Sequence, residues 1–278
     1  MLHLKKACTL LLALLLFPVA GSADELVPAS RMRIGGTGGA LGTLQLLAEA
    51  FKKDHTPLTV VIIPSLGSTG GIKAVLAGAI DLAAISRPLK ESERAQGALI
   101  TDYARTPFVF ATATATKVPA MTLRELLGIY SGDTKTWPDG RALRLVLRPA
   151  EDSDTEFTKS LSPGMKTAIP AALDRAGMII EITDQDNAHS LETIPGAIGT
   201  TSLAQIVSEK RALRPLALDG VTPSLQTLND GSYRYFKTFS FVSTSKANPL
   251  VQQFIAFVQS PAGQLILEKN GHSQVTGK

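Results

Sequence analysis

The sequence has one cysteine among 278 residues, and that one, Cys8, falls in the leading apolar run, so no disulfide can brace the folded part. Histidine is almost as scarce. Past the leader only His55, His189 and His272 remain, in a polar stretch, beside Ser190 and in the C-terminal tail, and none stands at a strand end with a nucleophile. No G-x-S-x-G elbow is present, which removes the usual serine-hydrolase arrangement. No lysine follows the glycines at Gly42-Thr43, which removes a phosphate-binding P-loop. A metal centre would need clustered ligands, but histidines are unpaired, and acids such as Asp184 and Asp186 stand on what reads as a solvated loop. Aromatic residues make up 5%, the formal charge is only +4, and no basic run interleaves with aromatics, so no nucleic-acid surface is expected. No enzymatic activity and no cofactor are called for.

Long apolar runs are also missing. The one run present, Ala7 to Leu16, is too short for a span of about 20 apolar residues. It follows Lys5 and Lys6 and precedes the small residues Ala20 to Ala23, the order of a secretory signal peptide cut after Ala23. Removing 1–23 takes two lysines from the formal charge. A protein of an extracytoplasmic space, most simply a periplasm, is expected.

What the sequence does have is glycine, placed in a repeating pattern. In "GGTGGALGTLQLLAEAF" a glycine cluster follows the short strand-like stretch Met32 to Ile34. Behind it Leu44, Leu47, Ala48 and Phe51 form one apolar helical stripe. The unit recurs: the β-branched run Thr59 to Ile63 precedes "PSLGSTGGIKAVLAGAI", whose helix carries Ile72, Val75, Leu76 and Ala79 on one face. The apolar strand Ile80 to Ile85 then stops at Ser86-Arg87-Pro88. A third unit joins the strand Leu143 to Leu147 to "RPAEDSDTEF", where Ser153 and Glu156 have the spacing of a capping box that starts a helix near Asp154.

Alternating strands and helices imply a parallel sheet covered by helices, with ligands beyond the carboxyl ends of the strands. The stretch Thr106 to Thr116 reads as a strand leaving one lobe for another, and Leu213 to Gly220 as the return. A final helix carries Val251, Phe254, Ile255 and Val258 on one face.

The polar groups at these strand ends are Ser68, Thr69, Ser86, Arg148, Ser153 and Thr155, with the backbone N–H groups from Gly38 to Leu41. Neutral donors with one guanidinium suit a small tetrahedral oxyanion, at the positive ends of helix dipoles. Taken singly, each hydroxyl also suits a cap or a turn, and Arg148 also suits an ion pair with Glu151 or Asp152.

In the order and spacing of "GGTGGALGTLQLLAEAF", "GSTGGIKAVLAGAIDLAAISRPL", "LRELLGIYSGDTKTWPDG", "RPAEDSDTEF", "TIPGAIGT", "LDGVTPSLQTLNDGSY" and "SPAGQLILEKNGH", the chain resembles the phosphate-binding branch of the class II periplasmic solute-binding proteins of ABC importers. The resemblance implies an α/β protein of two lobes, each a mostly parallel sheet flanked by helices, joined by two crossing hinge strands. It divides the chain into 24–106, 107–218 and 219–278, the first and last forming one lobe. It implies a monomer that binds a small inorganic oxyanion, phosphate first, and meets the permease of an ABC importer. A tungstate- or sulfate-type receptor, a phosphate sensor without transport, and a hydrolase on the same fold are the alternatives.

Carried over residue by residue, the resemblance puts Gly39, Ala40, Leu41, Ser68, Thr69, Ser86, Arg148, Ser153, Asp154 and Thr155 on the ligand. Two positions depart from the family pattern. Ser86 stands where phosphate receptors have an aspartate that accepts the ligand's proton. Asp154 stands in place of a glycine, with one extra residue after Arg148. A carboxylate pointing inward at 154 would oppose an anion, so it is expected to face solvent in the first turn of its helix.

Overall fold

Short apolar runs that stop at glycine, serine or arginine become strands whose carboxyl ends all lie near one cleft. The computed structural model describes residues 30–55 and 57–275; the leader expected at 1–23 lies outside the described residues. In chain order the first elements are β1 (Ser30–Gly36), α1 (Gly38–Lys52), β2 (Leu58–Ile62), α2 (Gly67–Leu76), β3 (Leu82–Ile85), α3 (Glu91–Ala95) and β4 (Leu99–Ala113). Then come β5 (Ala120–Met121), α4 (Leu123–Ser131), β6 (Arg144–Leu147), α5 (Ser153–Ser160), α6 (Pro163–Leu173), β7 (Ile179–Ile180), α7 (Asp184–Thr193), β8 (Ala197–Ser202) and α8 (Leu203–Ser208). The chain ends with β9 (Leu213–Pro215), β10 (Ala217–Leu218), α9 (Leu225–Asn229), β11 (Phe236–Ser243), α10 (Pro249–Gln259) and α11 (Pro261–Lys269).

The main sheet has the order β2-β1-β3-β11-β4-β8-β6-β7, with β9 beside β4. β2, β1 and β3 are parallel, as are β8, β6 and β7, while β11 and β4 are antiparallel insertions between the two sets. The chain is thus α/β, a large, mostly parallel sheet flanked by helices. β4 belongs to both halves: it pairs with β11 from Leu99 to Pro107 and with β8 from Phe108 to Ala111.

Two cores follow. The first gathers Met32, Ile34, Leu44, Phe51, Phe239 and Phe254; the second gathers Phe108, Phe110, Leu126, Trp137, Leu147 and Tyr233. Burial of each such side chain contributes about 1.5–3 kcal/mol, and the helix stripes read from the sequence on α1 and α10 are the faces that supply them. Leu216, Leu218, Tyr233 and Tyr235 still pack in the second core. β11, which begins at Phe236, pairs with β3 and with the Leu99–Pro107 part of β4. Leu213–Pro215 forms β9, one more strand of the second half.

The glycine cluster turns out to hold almost no loop. Gly35 and Gly36 complete β1, and Gly38 and Gly39 open α1, with Thr37 alone between them. Gly36 has φ +119°, and a Cβ there would lie 2.0 Å from the Ala84 carbonyl oxygen of β3, so the position requires glycine. That approach lets Thr37 N donate to the same oxygen at 2.8 Å and brings the α1 N-terminus to the strand ends.

Candidate functional site

Three helices begin around the cleft between the cores. α1 and α2 have no side-chain cap on their first N–H groups. α5 is capped by Asp152, whose Oδ1 accepts from Asp154 N at 2.8 Å. Asp152, not Ser153, is therefore the cap, and this frees the Ser153 hydroxyl. Ser153 Oγ lies 2.9 Å from Ser86 Oγ, which is 3.4 Å from Ser68 Oγ; Ser68 Oγ also accepts from Ser86 N at 3.0 Å. Three hydroxyls thus form a chain from one half to the other. Ser68 and Ser153 line an opening of about 200 Å³, and Ser86 lines another of about 410 Å³ with Lys237, Phe157 and Phe236.

Arg148 stands at the end of β6 and is buried, 4% exposed. Its Nη1 donates to the Glu181 carbonyl oxygen at 2.7 Å, and its Nη2 to Asp152 Oδ2 at 2.9 Å, with Asp184 Oδ2 at 3.9 Å. Its Nε is buried and has no partner among the described residues. Burial opposes the guanidinium charge, but Asp184, Asp152 and Asp154 outweigh it and hold the pKa above the ordinary value. Asp152 is the opposite case. Burial pushes its carboxyl up to about 6, Asp154 and Asp184 push the same way, and Arg148 and Lys237 oppose them.

Two of these charges were not among the residues expected at the site. Lys237, in β11, is buried and forms an ion pair with Asp154, with its ammonium 5.4 Å from the centre of the Phe108 ring. Arg148 is therefore not the only cation of the cleft. Asp154 does not face solvent: it is 2% exposed, and the lysine is what makes that burial tolerable. Asp184 is not on a solvated loop either. It opens α7, and the Thr183 hydroxyl caps that helix by accepting from Asp186 N. Its carboxylate presses on the start of α1, where a Cβ at Gly38 would meet Asp184 Oδ2 at 2.7 Å and Gln185 Oε1 at 2.5 Å. Gln185 Nε2 donates to Gly38 O at 3.0 Å across the same gap.

Of the residues carried over, Gly39, Ala40, Ser68, Ser86, Arg148, Ser153 and Asp154 do meet around this cleft. Leu41 follows Ala40 directly in α1, and its side chain, like that of Ala40, packs against the first core. Thr69 Oγ1 accepts from Arg87 Nη2 at 3.1 Å, and Arg87 is itself paired with Glu93 at 2.7 Å, so the threonine serves that bridge. Thr155 Oγ1 donates back to Arg148 O at 3.1 Å and fastens α5 to β6.

Two signals for the missed charges were available in the sequence. Lys237 interrupts the apolar stretch "YFKTFSFVS", and Thr183-x-x-Asp186 has the spacing of a helix start. Among the described residues, no group of three or more His, Cys, Asp or Glu could hold a metal ion, and no helix is long and apolar enough to cross a membrane.

The profile of the PBP superfamily domain matches residues 23–262. The protein SphX of Synechococcus elongatus is 28% identical over 295 residues, spanning 92% of this chain and 83% of that protein. The phosphate-binding protein PstS of Staphylococcus saprophyticus is 25% identical over 264 residues, spanning 88% of this chain and 80% of that one. A Clostridium perfringens protein crystallised with bound phosphate superposes with a TM-score of 0.76 at 22% identity, covering 89% of this chain and all of that one, a likeness of fold.

Proposed function

The chain belongs to the PBP superfamily, and from that premise we propose that it is an extracytoplasmic solute-binding protein that captures a small tetrahedral oxyanion, phosphate by preference, between its two cores. The observation that carries this reading is the convergence on one cleft of two uncapped helix starts, a chain of three hydroxyls and a buried arginine with a free Nε. Each supplies a donor, and the dipoles of α1, α2 and α5 point the same charge at the same space. In this reading the ligand contacts are the first N–H groups of α1 near Gly39 and Ala40, the hydroxyls of Ser68, Ser86 and Ser153, and Arg148. The lobes are 30–107 with 236–275 and, between them, 108–235. The protein works as a monomer in a periplasm and hands its ligand to the permease of an ABC importer.

Phosphate is preferred because a relative matched along most of the chain carries that name, and a protein of the same fold was crystallised with that ion. Binding to the folded state alone raises the melting temperature by mass action. A thermal-shift panel of phosphate, sulfate, molybdate and tungstate should show its largest rise with phosphate. A rise with tungstate or sulfate alone would replace the ligand and keep the site, and no rise with any oxyanion would overturn the reading.

A further inference from the structure

The hydroxyl chain that crosses the cleft has an open side. Ser86, its middle member, also lines the cavity of about 410 Å³, whose other walls come from elements of both cores. α5 contributes Phe157, one turn beyond Ser153 and packed against the second core. β11 and β4, which supply Phe239 and Tyr103 to the first core, contribute the other walls. Phe236 and Thr238, two positions apart on β11, share a face of that strand, and Ile100 comes from β4.

An ion as small as phosphate does not fill such a space. At about 410 Å³ it falls within the roughly 300–1,000 Å³ of pockets that take organic ligands. Its aromatic walls are held in place: the Phe157 ring is 4.5 Å from that of buried Phe108, and Arg105 lies over the Phe236 ring at 5.4 Å. Its charges are balanced. The Lys237 ammonium is taken by Asp154 and the Arg87 guanidinium by Glu93, which leaves Arg94 and Asp102, both exposed, one of each sign. The lining thus gives no net attraction to a second anionic group. It does offer hydroxyl chemistry: Asp102 Oδ1 accepts from Ser240 Oγ at 2.6 Å, and both side chains keep acceptor capacity beside the Thr238 hydroxyl.

We propose that the cleft also takes phosphate monoesters, whose short, uncharged, hydroxylated organic group lies in this cavity while the phosphoryl end meets the three serines. The inference rests on the oxyanion reading of the cleft and extends it to a class of substrate. A monoester keeps three terminal oxygens for the hydroxyl chain, the helix N–H groups and Arg148. Its ester oxygen needs no charged donor and leads past Ser86, the residue common to the chain and the cavity. The carbon skeleton then rests on Phe157, Phe236 and Ile100, and its hydroxyls meet Asp102, Thr238 and Ser240.

Calorimetric titration with glycerol 3-phosphate, alone and in competition with inorganic phosphate, tests this. Saturable binding is expected, and the two ligands should exclude each other because they share the phosphoryl seat. 3-Phosphoglycerate, with a carboxylate in place of one alcohol group, should bind more weakly than glycerol 3-phosphate. Thr238→Phe fills the cavity from β11 and should weaken glycerol 3-phosphate at least about tenfold, with inorganic phosphate held within about twofold. Ile100→Phe fills it from β4 and keeps the test readable should the first variant fold poorly; both positions are half-buried. Binding of inorganic phosphate with no saturable heat from glycerol 3-phosphate up to about 10 mM overturns this inference and leaves the oxyanion reading, whereas binding of neither overturns both. The inference falls equally if the two ligands bind together, if 3-phosphoglycerate binds the more tightly, or if both variants bind glycerol 3-phosphate as the parent does.

Discussion

At the scale of single residues, Arg148 does two things at once. In the proposed reading its free Nε is the donor offered to a ligand, while its other nitrogens hold Asp152 and the Glu181 carbonyl oxygen. Replacing it with alanine would leave Asp152 and Asp184 buried without their nearest cation, a loss of roughly 3–5 kcal/mol in stability. Arg148→Ala is thus expected to lower the melting temperature as well as the affinity for phosphate, the latter by at least about tenfold. Arg148→Lys keeps the charge but not the fork and should fall between. A melting curve beside each titration separates the two effects, and an alanine variant that binds phosphate as tightly as the parent removes Arg148 from the site.

Asp152 gives a pH signature of its own. Its carboxyl titrates near 6 in the folded protein against an ordinary value of 3.8, so the folded state holds the extra proton between those values. Its stabilising share is fully present below about pH 4 and is lost as pH rises through about 6. Asp152→Asn keeps an acceptor for Asp154 N and cannot ionise. The variant should therefore gain stability relative to the parent from pH 4 to 7, by about 2 kcal/mol, and a difference that stays flat over that window would show that Asp152 is not buried in this way.

At the scale of elements, the joint between α1 and α7 tests whether the cleft must close tightly. Gly36→Ala and Gly38→Ala look alike in sequence, yet they differ in what a methyl group meets. At 36 it meets the Ala84 backbone at 2.0 Å with φ +119°, a clash β3 cannot relieve. At 38 it meets side-chain atoms of Asp184 and Gln185, which can move if α7 draws back. Gly36→Ala should unfold the protein or depress its melting temperature sharply. Gly38→Ala should leave the melting temperature of the ligand-free protein nearly unchanged, because alanine favours the helix, and should weaken phosphate binding. Equal loss of stability in the two would contradict this division.

The same elements show what the sequence could carry. Ser68, Ser86, Arg148 and Ser153 were legible because each follows an apolar run in a parallel sheet, whose geometry sends all such ends to one edge. Lys237 and Asp184 left a local signal but gave no sign of their partners. One is mid-strand on an antiparallel insertion and pairs with a residue 83 positions away. The other reaches α1 across a contact between residues 147 apart in its neighbour Gln185. Pairings of that range leave no local period. Leu213–Pro215 and Ala217–Leu218 have the composition of crossing strands, while in the fold Leu216 and Leu218 pack in the second core and Leu213–Pro215 pairs with β4.

At the scale of the whole molecule, the structure has its cleft shut by its own side chains. Ser86 meets Ser153, Gln185 meets Gly38, and Lys237 meets Asp154, all between elements on opposite sides. The buried charges are two carboxylates, Asp154 and Asp184, and two cations, Arg148 and Lys237, with the half-buried Asp152 as a third carboxylate on Arg148. Adding an oxyanion to that set costs desolvation and repulsion, which the helix dipoles, the hydroxyl chain and the free Arg148 Nε must offset. Closure and binding are then one equilibrium: whatever stabilises the shut form raises affinity, and whatever leaves a buried charge unpaired favours the open one. Lys237 is the sharpest probe of this coupling. Lys237→Met keeps the length of the side chain and its contact with Phe108 but leaves Asp154 without a cation in the shut form. Small-angle scattering across a phosphate titration should show the parent protein contracting. The methionine variant should start at a larger radius of gyration and need more phosphate to contract. A parent radius that does not change across the titration would rule out hinge closure, and a variant that contracts at the same phosphate concentration would show that the Lys237–Asp154 pair does not hold the lobes together.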